Sequence, residues 1–279
     1  MKIDDEYFDR IISLITLKTG IIPRESHKAG IRTYVENKLD TLTTDDKMFQ
    51  YFMLVSKDED IFMELINQST VNETYFFRED KQFNFLNNRV LKEWPFRKGN
   101  EQINIWCAAC SSGEEAYSLA LLCKENHIKA SITASDINNA VLEKCRQGIY
   151  KENSIRKGDG ESYHRLLKPY MQPDGSIKID DDTKHLVKPQ HINLVELDNP
   201  KNSAVIPKNQ NIIFIRNVFI YFSMDVRAKI LKNIAEKCMA EDGLLFVSMN
   251  EIAPLDSGII PKELEKVVDG DVFFFHKKK

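Results

Sequence analysis

An α/β fold with a mostly parallel sheet, preceded by an all-helical N-terminal region, is what this sequence predicts. Three observations predict it. Apolar residues recur at helical spacing through roughly the first 70 positions. From about residue 100, short apolar runs alternate with amphipathic segments, the texture of strands connected by helices. One of those runs, Ile103 to Trp106, leads through a loop of small residues directly into a helical pattern at Glu114.

Taken in order, Phe8, Ile11, Ile12, Leu14, Ile15 and Leu17 mark the apolar face of a first helix that stops at Thr19-Gly20. A second helix is expected from Glu25 to Leu42, with further ones at Asp45–Ser56 and Asp58–Gln68. Strands are expected at Ile103–Trp106, Ile132–Ala134, Ile192–Val195, Asn211–Ile215, Gly243–Val247 and Val272–His276. Helices fill Glu114–Asn126, Ala140–Arg146 and Met224–Met239. The alternation breaks between Tyr150 and His191, where Gln172-Pro173-Asp174-Gly175-Ser176 reads as a turn and Ser176–Asp180 alternates, so a small β insertion is expected there.

The 279 residues are 42% hydrophobic and 29% charged, enough to build a core without disulfides or metal and incompatible with a disordered or collagenous chain. No apolar run nears the roughly 20 residues that span a bilayer. The start of the chain carries Asp4, Asp5, Glu6 and Asp9 in place of a signal-peptide apolar region, so a cytoplasmic protein is expected. A net charge of −3 argues against a nucleic-acid binder. Five scattered cysteines make a disulfide framework improbable, and the single C-x-x-C, Cys107 and Cys110, lacks the second pair or spaced histidines of a zinc site, so no metal is expected. A redox role for that pair stays open as a minor alternative.

The segment Ile103-Asn104-Ile105-Trp106-Cys107-Ala108-Ala109-Cys110-Ser111-Ser112-Gly113-Glu114-Glu115 reads as strand, small-residue loop and helix start. Small side chains let a ligand approach the backbone, and a helix start offers free N–H groups. In open α/β sheets this crevice is where ligands sit. The loop lacks G-x-G-x-x-G, and two glutamates open the helix, which disfavours a pyrophosphate and suits an ammonium group. Asp136, 23 residues past Gly113 at the end of the next strand, is placed to accept bonds from ribose hydroxyls. Ribose plus an amino-acid ammonium without phosphate describes S-adenosylmethionine. Helix-capping glutamates and a turn aspartate are the plainer alternative.

Asn72-Glu73-Thr74-Tyr75-Phe76-Phe77-Arg78-Glu79, the loop after Trp106, Ala134-Ser135-Asp136-Ile137, Gly148-Ile149-Tyr150, Asn193-Leu194, Arg216-Asn217-Val218-Phe219-Ile220-Tyr221-Phe222 and Asn250-Glu251 follow one another in order. Together they resemble the chemotaxis receptor glutamate methyltransferases, the CheR family, over essentially the whole chain. The resemblance implies a Rossmann-like S-adenosylmethionine-dependent methyltransferase domain with a small antiparallel β subdomain insertion, preceded by an all-α N-terminal domain. The divisions expected are 1–70 helical, 71–98 a linker carrying cofactor-binding residues, and 99–279 the methyltransferase domain, with about 155–190 as the insertion. The cofactor implied is S-adenosyl-L-methionine, the product S-adenosyl-L-homocysteine. Asn72, Thr74, Arg78, Ala109, Glu115, Asp136, Asn193, Leu194, Arg216 and Asn217 match cofactor-binding positions, and Tyr221 the active-site tyrosine. Arg78 would pair with the methionyl carboxylate through its planar fork, Glu115 with the ammonium, and Asp136 with the ribose. The plainer alternatives are an Arg78 ion pair with Glu79 or Asp80, a turn-forming Asn193, and a half-buried core Tyr221. Cys107 and Cys110 stand where small residues or serine are usual, and an exposed thiol there would be open to oxidation.

Methyl transfer to a glutamate needs no base, because that carboxylate is already ionised at pH 7. None of the six histidines lies in an acid–base pattern, in keeping with this. Tyr221, Arg216 and Arg78 are the candidate catalytic residues, with Tyr221 and Arg216 orienting the incoming carboxylate. The partners implied are the cytoplasmic helical region of chemotaxis receptors and, through the β subdomain, a receptor C-terminal tail peptide. Neither nucleic acid nor membrane insertion is expected, and the chain is expected to be a monomer. Residues 1–80 hold 10 Lys and Arg against 16 Asp and Glu, yet Arg24, Lys28 and Arg32 fall on one helical stripe suited to docking an acidic helix. A receptor scaffold or sensor that binds the cofactor without turnover is the competing function.

Overall fold

A computed structural model of the chain describes residues 1–252, 255 and 258–278. Four helices come first: α1 (Asp5–Thr19), α2 (Glu25–Asp40), α3 (Lys47–Lys57) and α4 (Glu59–Ser69). Their inward residues, among them Phe8, Ile11, Ile15, Ile31, Val35 and Leu65, form a core of their own. Asp4, Asp46 and Asp58 cap α1, α3 and α4 by accepting backbone N–H bonds. Gly20 ends α1 in the left-handed region at φ +72°, and an added Cβ would lie 2.7 Å from Val195 Cγ1, so the chain passes the α/β part too closely for any side chain.

Residues 71–98, expected as a linker, pack against the main sheet along much of their length. Helix α5 (Asp80–Phe85), a π-helical turn (Leu86–Leu91) and α6 (Trp94–Lys98) cover one face of the main sheet. Phe76, Phe77, Phe83, Leu86 and Leu91 are fully buried in its core. The sheet is built from β1 (Ile103–Ala108), β2 (Ala130–Asp136), β5 (Val187–His191), β6 (Gln210–Ile215), β7 (Met239–Val247), β8 (Leu264–Asp269) and β9 (Val272–Lys277). Helices α7 (Glu114–Glu125), α8 (Asn139–Gln147), α9 (Asp181–Lys184), α10 (Met224–Asn233) and α11 (Met249–Ile252) connect or follow these strands.

The strand order is β5-β2-β1-β6-β7-β9-β8, parallel from β5 to β7, with β9 and β8 antiparallel at the far edge. The order reverses between β1 and β6, which makes the carboxyl ends of these two strands the crevice of the fold. The third strand lies at Val187–His191, five residues before the expected Ile192–Val195. As an edge strand it tolerates Pro189 and polar residues, which hide it from an apolar pattern. Ile192 and Leu194 are apolar because they pack in a second core cluster, in and beside a short 3₁₀ turn. The expected helix Met224–Met239 turns π-helical from Ile234 to Cys238, and Met239 already begins β7.

The insertion is sparser than expected. Its β element is one antiparallel pair, β3 (Ile149–Tyr150) with β4 (Ile177–Lys178), and the chain between them holds three short 3₁₀ turns. The turn at Gln172–Ser176 forms as expected, with Gln172 N–H donating to the Ser176 carbonyl at 2.8 Å.

Candidate active site

A cleft partly open to solvent lies over the carboxyl ends of β1, β2 and β6. Its floor is the loop after β1. Ala109 at φ +74° and Ser111 at φ +51° turn that loop back on itself, and the N–H groups of Ala109 and Cys110 both donate to the Ser135 carbonyl at 2.8 Å. Gly113 starts α7 at φ +96°, where a Cβ would fall 2.3 Å from Cys145 Sγ. The roof comes from the helical part: the end of α1, the segment Ile21 to His27, and Ser69 to Thr74. It is tied down by Ile22 N–H on the Tyr221 carbonyl (2.8 Å), Asn193 Nδ2 on the Lys18 carbonyl (2.8 Å) and Asn138 Nδ2 on Thr70 Oγ1 (2.7 Å).

All ten residues matched to cofactor positions line this cleft, together with Tyr221 and Arg24. Asp136 is buried, its Oδ2 accepting Ser111 N–H at 2.8 Å and its Oδ1 accepting Asn138 N–H at 2.9 Å. Burial pushes its carboxyl up, and those backbone donors oppose the shift. Each oxygen retains a further acceptor site. Asn72 bonds both neighbours of the loop: its side chain donates to the Thr70 carbonyl, and its carbonyl accepts Ser111 Oγ–H at 3.1 Å. Arg78 donates through Nη1 to the Glu73 carbonyl at 2.8 Å. It forms no ion pair with Glu79, Asp80 or any other carboxylate among the described residues, so its cationic fork is available to an anion in the cleft.

Three expected roles change. Arg216, expected to orient a substrate carboxylate, is buried with its side chain 2% exposed. Its Nε donates to Glu115 Oε2 at 2.7 Å, Nη1 donates to Gln82 Oε1 at 3.0 Å, and Glu79 lies 3.9 Å away. The rings of Phe83 and Phe214 flank its guanidinium at 5.3 and 5.2 Å. Burial disfavours the charged guanidinium, but Glu115 and Glu79 more than offset this and raise its pKa. Glu115 therefore commits one oxygen to Arg216 rather than keeping both for an ammonium. Its neighbour Glu114 is buried away from the cleft, between the Ser112 and Ser154 hydroxyls. Asn193 caps the 3₁₀ turn at Leu194–Glu196, as the turn-forming alternative holds, besides lining the cleft.

Tyr221 is half-buried, and its hydroxyl has no hydrogen-bond partner among the described residues. Burial raises its pKa, against the nearby Arg24 charge. Arg24 sits 5.3 Å from the centre of the Tyr221 ring and lines the cleft, so one end of the basic stripe reaches the crevice. Lys28 pairs with Glu25 at 2.6 Å and Arg32 with Asp5 at 2.8 Å, which leaves Arg24 as the one cation of the three without a carboxylate partner among the described residues. Cys107 and Cys110 are buried, and burial raises both thiols well above their ordinary range, which removes the exposed, reactive pair that a redox role requires. His27, Thr19, Ile21 and Pro23 also line the cleft. The sequence marks Thr19 only as part of a helix stop and gives no sign of Pro23 or His27, because they reach the cleft only when the α1–α2 turn folds over the sheet.

A crevice at the sheet's switch point, with a buried acid at the end of β2, an unpaired guanidinium and no glycine-rich phosphate loop, is the kind of site in which an α/β enzyme binds a small-molecule cofactor. Residues 72–262 match the family model described as CheR methyltransferase, SAM binding domain. The chain is 30% identical over 265 residues to a chemotaxis protein methyltransferase of Borreliella burgdorferi, covering 90% of this chain and 89% of that one. It is 31% identical to chemotaxis protein methyltransferase 2 of Vibrio cholerae (89% and 86% covered) and 28% identical to the Escherichia coli chemotaxis protein methyltransferase (90% and 86%). The chain belongs to the CheR methyltransferase family, and its cofactor is S-adenosylmethionine. Among the described residues no helix is long and apolar enough to cross a membrane.

Proposed function

We propose that this chain methylates glutamate side chains of chemotaxis receptors, forming glutamate methyl esters and S-adenosylhomocysteine in the cytoplasm. One observation carries the reading: the unpartnered Tyr221 hydroxyl and the unpaired Arg24 guanidinium stand together at the cleft. A carboxylate nucleophile needs a donor to aim it and a field to attract it, and needs no proton removed.

Bound S-adenosylmethionine supplies an electrophilic methyl on a sulfonium. Arg78 holds its carboxylate, Asp136 its ribose hydroxyls and Glu115 its ammonium, while Asn72, Thr74, Ala109, Asn193, Leu194 and Asn217 complete the walls. Arg216 serves by fixing Glu115. Tyr221 donates a hydrogen bond to the incoming glutamate without locking it in an ion pair. Positioning of this kind supplies up to roughly 7–11 kcal/mol of a barrier. We read residues 1–70 as the receptor-facing domain and 99–279 as the methyltransferase domain, with 71–98 joining them and carrying cofactor contacts; the insertion at about 155–190 is the candidate holder of a receptor tail peptide. The protein acts as a monomer. Radiolabelled methyl should pass from the cofactor to receptor-bearing membranes as a base-labile ester; label resistant to base would remove the glutamate assignment.

Tyr221→Phe should lower kcat while S-adenosylhomocysteine affinity stays within about twofold. A tenfold loss of affinity at unchanged kcat would reassign the tyrosine to the cofactor. On the stripe, Arg24→Gln should raise the KM for receptor more than Lys28→Gln or Arg32→Gln, because Glu25 and Asp5 already neutralise the latter two. The wild-type KM should also rise with salt, since exposed charges are screened over about 8–10 Å. Equal effects of the three variants would show that no single cation guides the substrate.

A further inference from the structure

Glu251 lies outside the cleft lining, yet its carboxylate reaches the turn that carries Tyr221. It is 2% exposed. Its Oε2 accepts Asn217 N–H at 2.7 Å and its Oε1 accepts Ile220 N–H at 3.1 Å. The turn between these two amides begins at Asn217, held at φ +58°, and ends in the 3₁₀ turn Phe219–Tyr221. No cation pairs with Glu251 among the described residues. A buried carboxylate without a counter-charge is costly, and a carboxamide or an apolar side chain would be the cheaper way to fill the space. Here each N–H group meets its own oxygen, an arrangement a carboxylate satisfies and a carboxamide, with one accepting oxygen and one NH₂, does not in the same pose.

We propose that Glu251 is a positioning residue for methyl transfer, clamping the Asn217–Tyr221 turn so that the Tyr221 hydroxyl stays aimed at the substrate carboxylate. This rests on the role given above to Tyr221. Glu251→Gln keeps the shape and sets an NH₂ group against one of the two N–H donors, so the clamp opens at one end. The turn then gains freedom where the tyrosine leaves it, and the loss belongs to the chemical step.

The test is a kinetic double-mutant cycle on the full chain, with receptor-bearing membranes as substrate and active sites counted by S-adenosylhomocysteine binding. Glu251→Gln should lower kcat per site by about tenfold in the wild-type background and by less than about twofold in a Tyr221→Phe background, since the hydroxyl it positions is gone. Equal effects in both backgrounds, or an unchanged kcat per site alongside a lowered melting temperature, would overturn the inference and leave Glu251 a structural clamp. A Tyr221→Phe variant with wild-type kcat would instead overturn the role of the tyrosine, which separates the two failures. If Glu251→Gln does not accumulate as folded protein, Glu251→Asp, which keeps both acceptors but withdraws them by one methylene, takes its place in the same cycle with the same two outcomes.

Discussion

Replacing Arg216 by alanine should lower the unfolding free energy by about 3–5 kcal/mol, because it removes the cation from a buried ion pair and leaves its carboxylates behind. The Glu115 and Glu79 side chains are 12% and 22% exposed, so water reaches neither freely. Gln82 would lose the Nη1 donor, although its own amide would still bond the Val247 carbonyl at 2.7 Å. The second substitution of an Arg216→Ala, Glu115→Gln variant should restore part of the stability by deleting the stranded charge. It should not restore cofactor affinity. Urea unfolding of the three proteins decides the matter: a loss below about 1 kcal/mol in the single variant would show that the pair is solvated and contributes as little as a surface one.

The same network explains how the cleft is assembled from distant parts of the chain. Glu79 sits at φ +61° and accepts hydrogen bonds from Ser248 Oγ, Asn217 Nδ2 and Met249 N. The strand ends at 216–217 and 247–248 are thereby joined to the arm that bears Arg78. On the other side of that arm, Asp159 accepts the Tyr75 hydroxyl at 2.8 Å and the Glu79 N–H at 2.9 Å. The insertion thus grips the Arg78-bearing arm from one side while the strand ends grip it from the other.

Much of the parallel sheet was legible because β1, β6 and the second half of β7 are largely apolar runs buried on both faces, a pattern that needs no partner to be seen. Edge strands escape such a reading. Val187–His191 carries Pro189 and three polar residues, and Leu264–Asp269 is mostly exposed. The second did leave a signal: Asp269-Gly270-Asp271 is a hairpin sequence, and the structure makes it a two-residue turn with Gly270 at φ +58°. At the site, sequence motifs gathered residues that line one cleft but did not reveal their partners. Arg216 and Glu115 are 101 positions apart, so nothing local reveals that each neutralises the other. Arg32 likewise looks like a free surface cation until α1 brings Asp5 to it across 27 positions.

Asp136→Ala should weaken both cofactor binding and the fold. Position alone suggests an acid reserved for ribose, and such an acid could be lost at little structural cost. Instead its two oxygens also hold the Ser111 and Asn138 N–H groups, and those residues are 8% and 1% exposed. Stranding a buried donor costs about 1–3 kcal/mol, so the alanine variant should unfold at lower urea. Asn138 in turn caps α8 through Ala140 N–H at 2.8 Å, which extends the damage along that helix. Asp136→Asn separates the two roles. Its carbonyl oxygen still accepts one of the two N–H groups, so less stability is lost, while the ribose hydroxyls lose a charged acceptor. Losing such an acceptor costs about 1.5–3 kcal/mol, roughly a tenfold to more than a hundredfold rise in Kd. Calorimetric titration with S-adenosylhomocysteine, at a temperature where wild type and the asparagine variant are both fully folded, measures that rise directly. A Kd within about twofold of wild type would mean that Asp136 shapes the loop and does not touch the ribose.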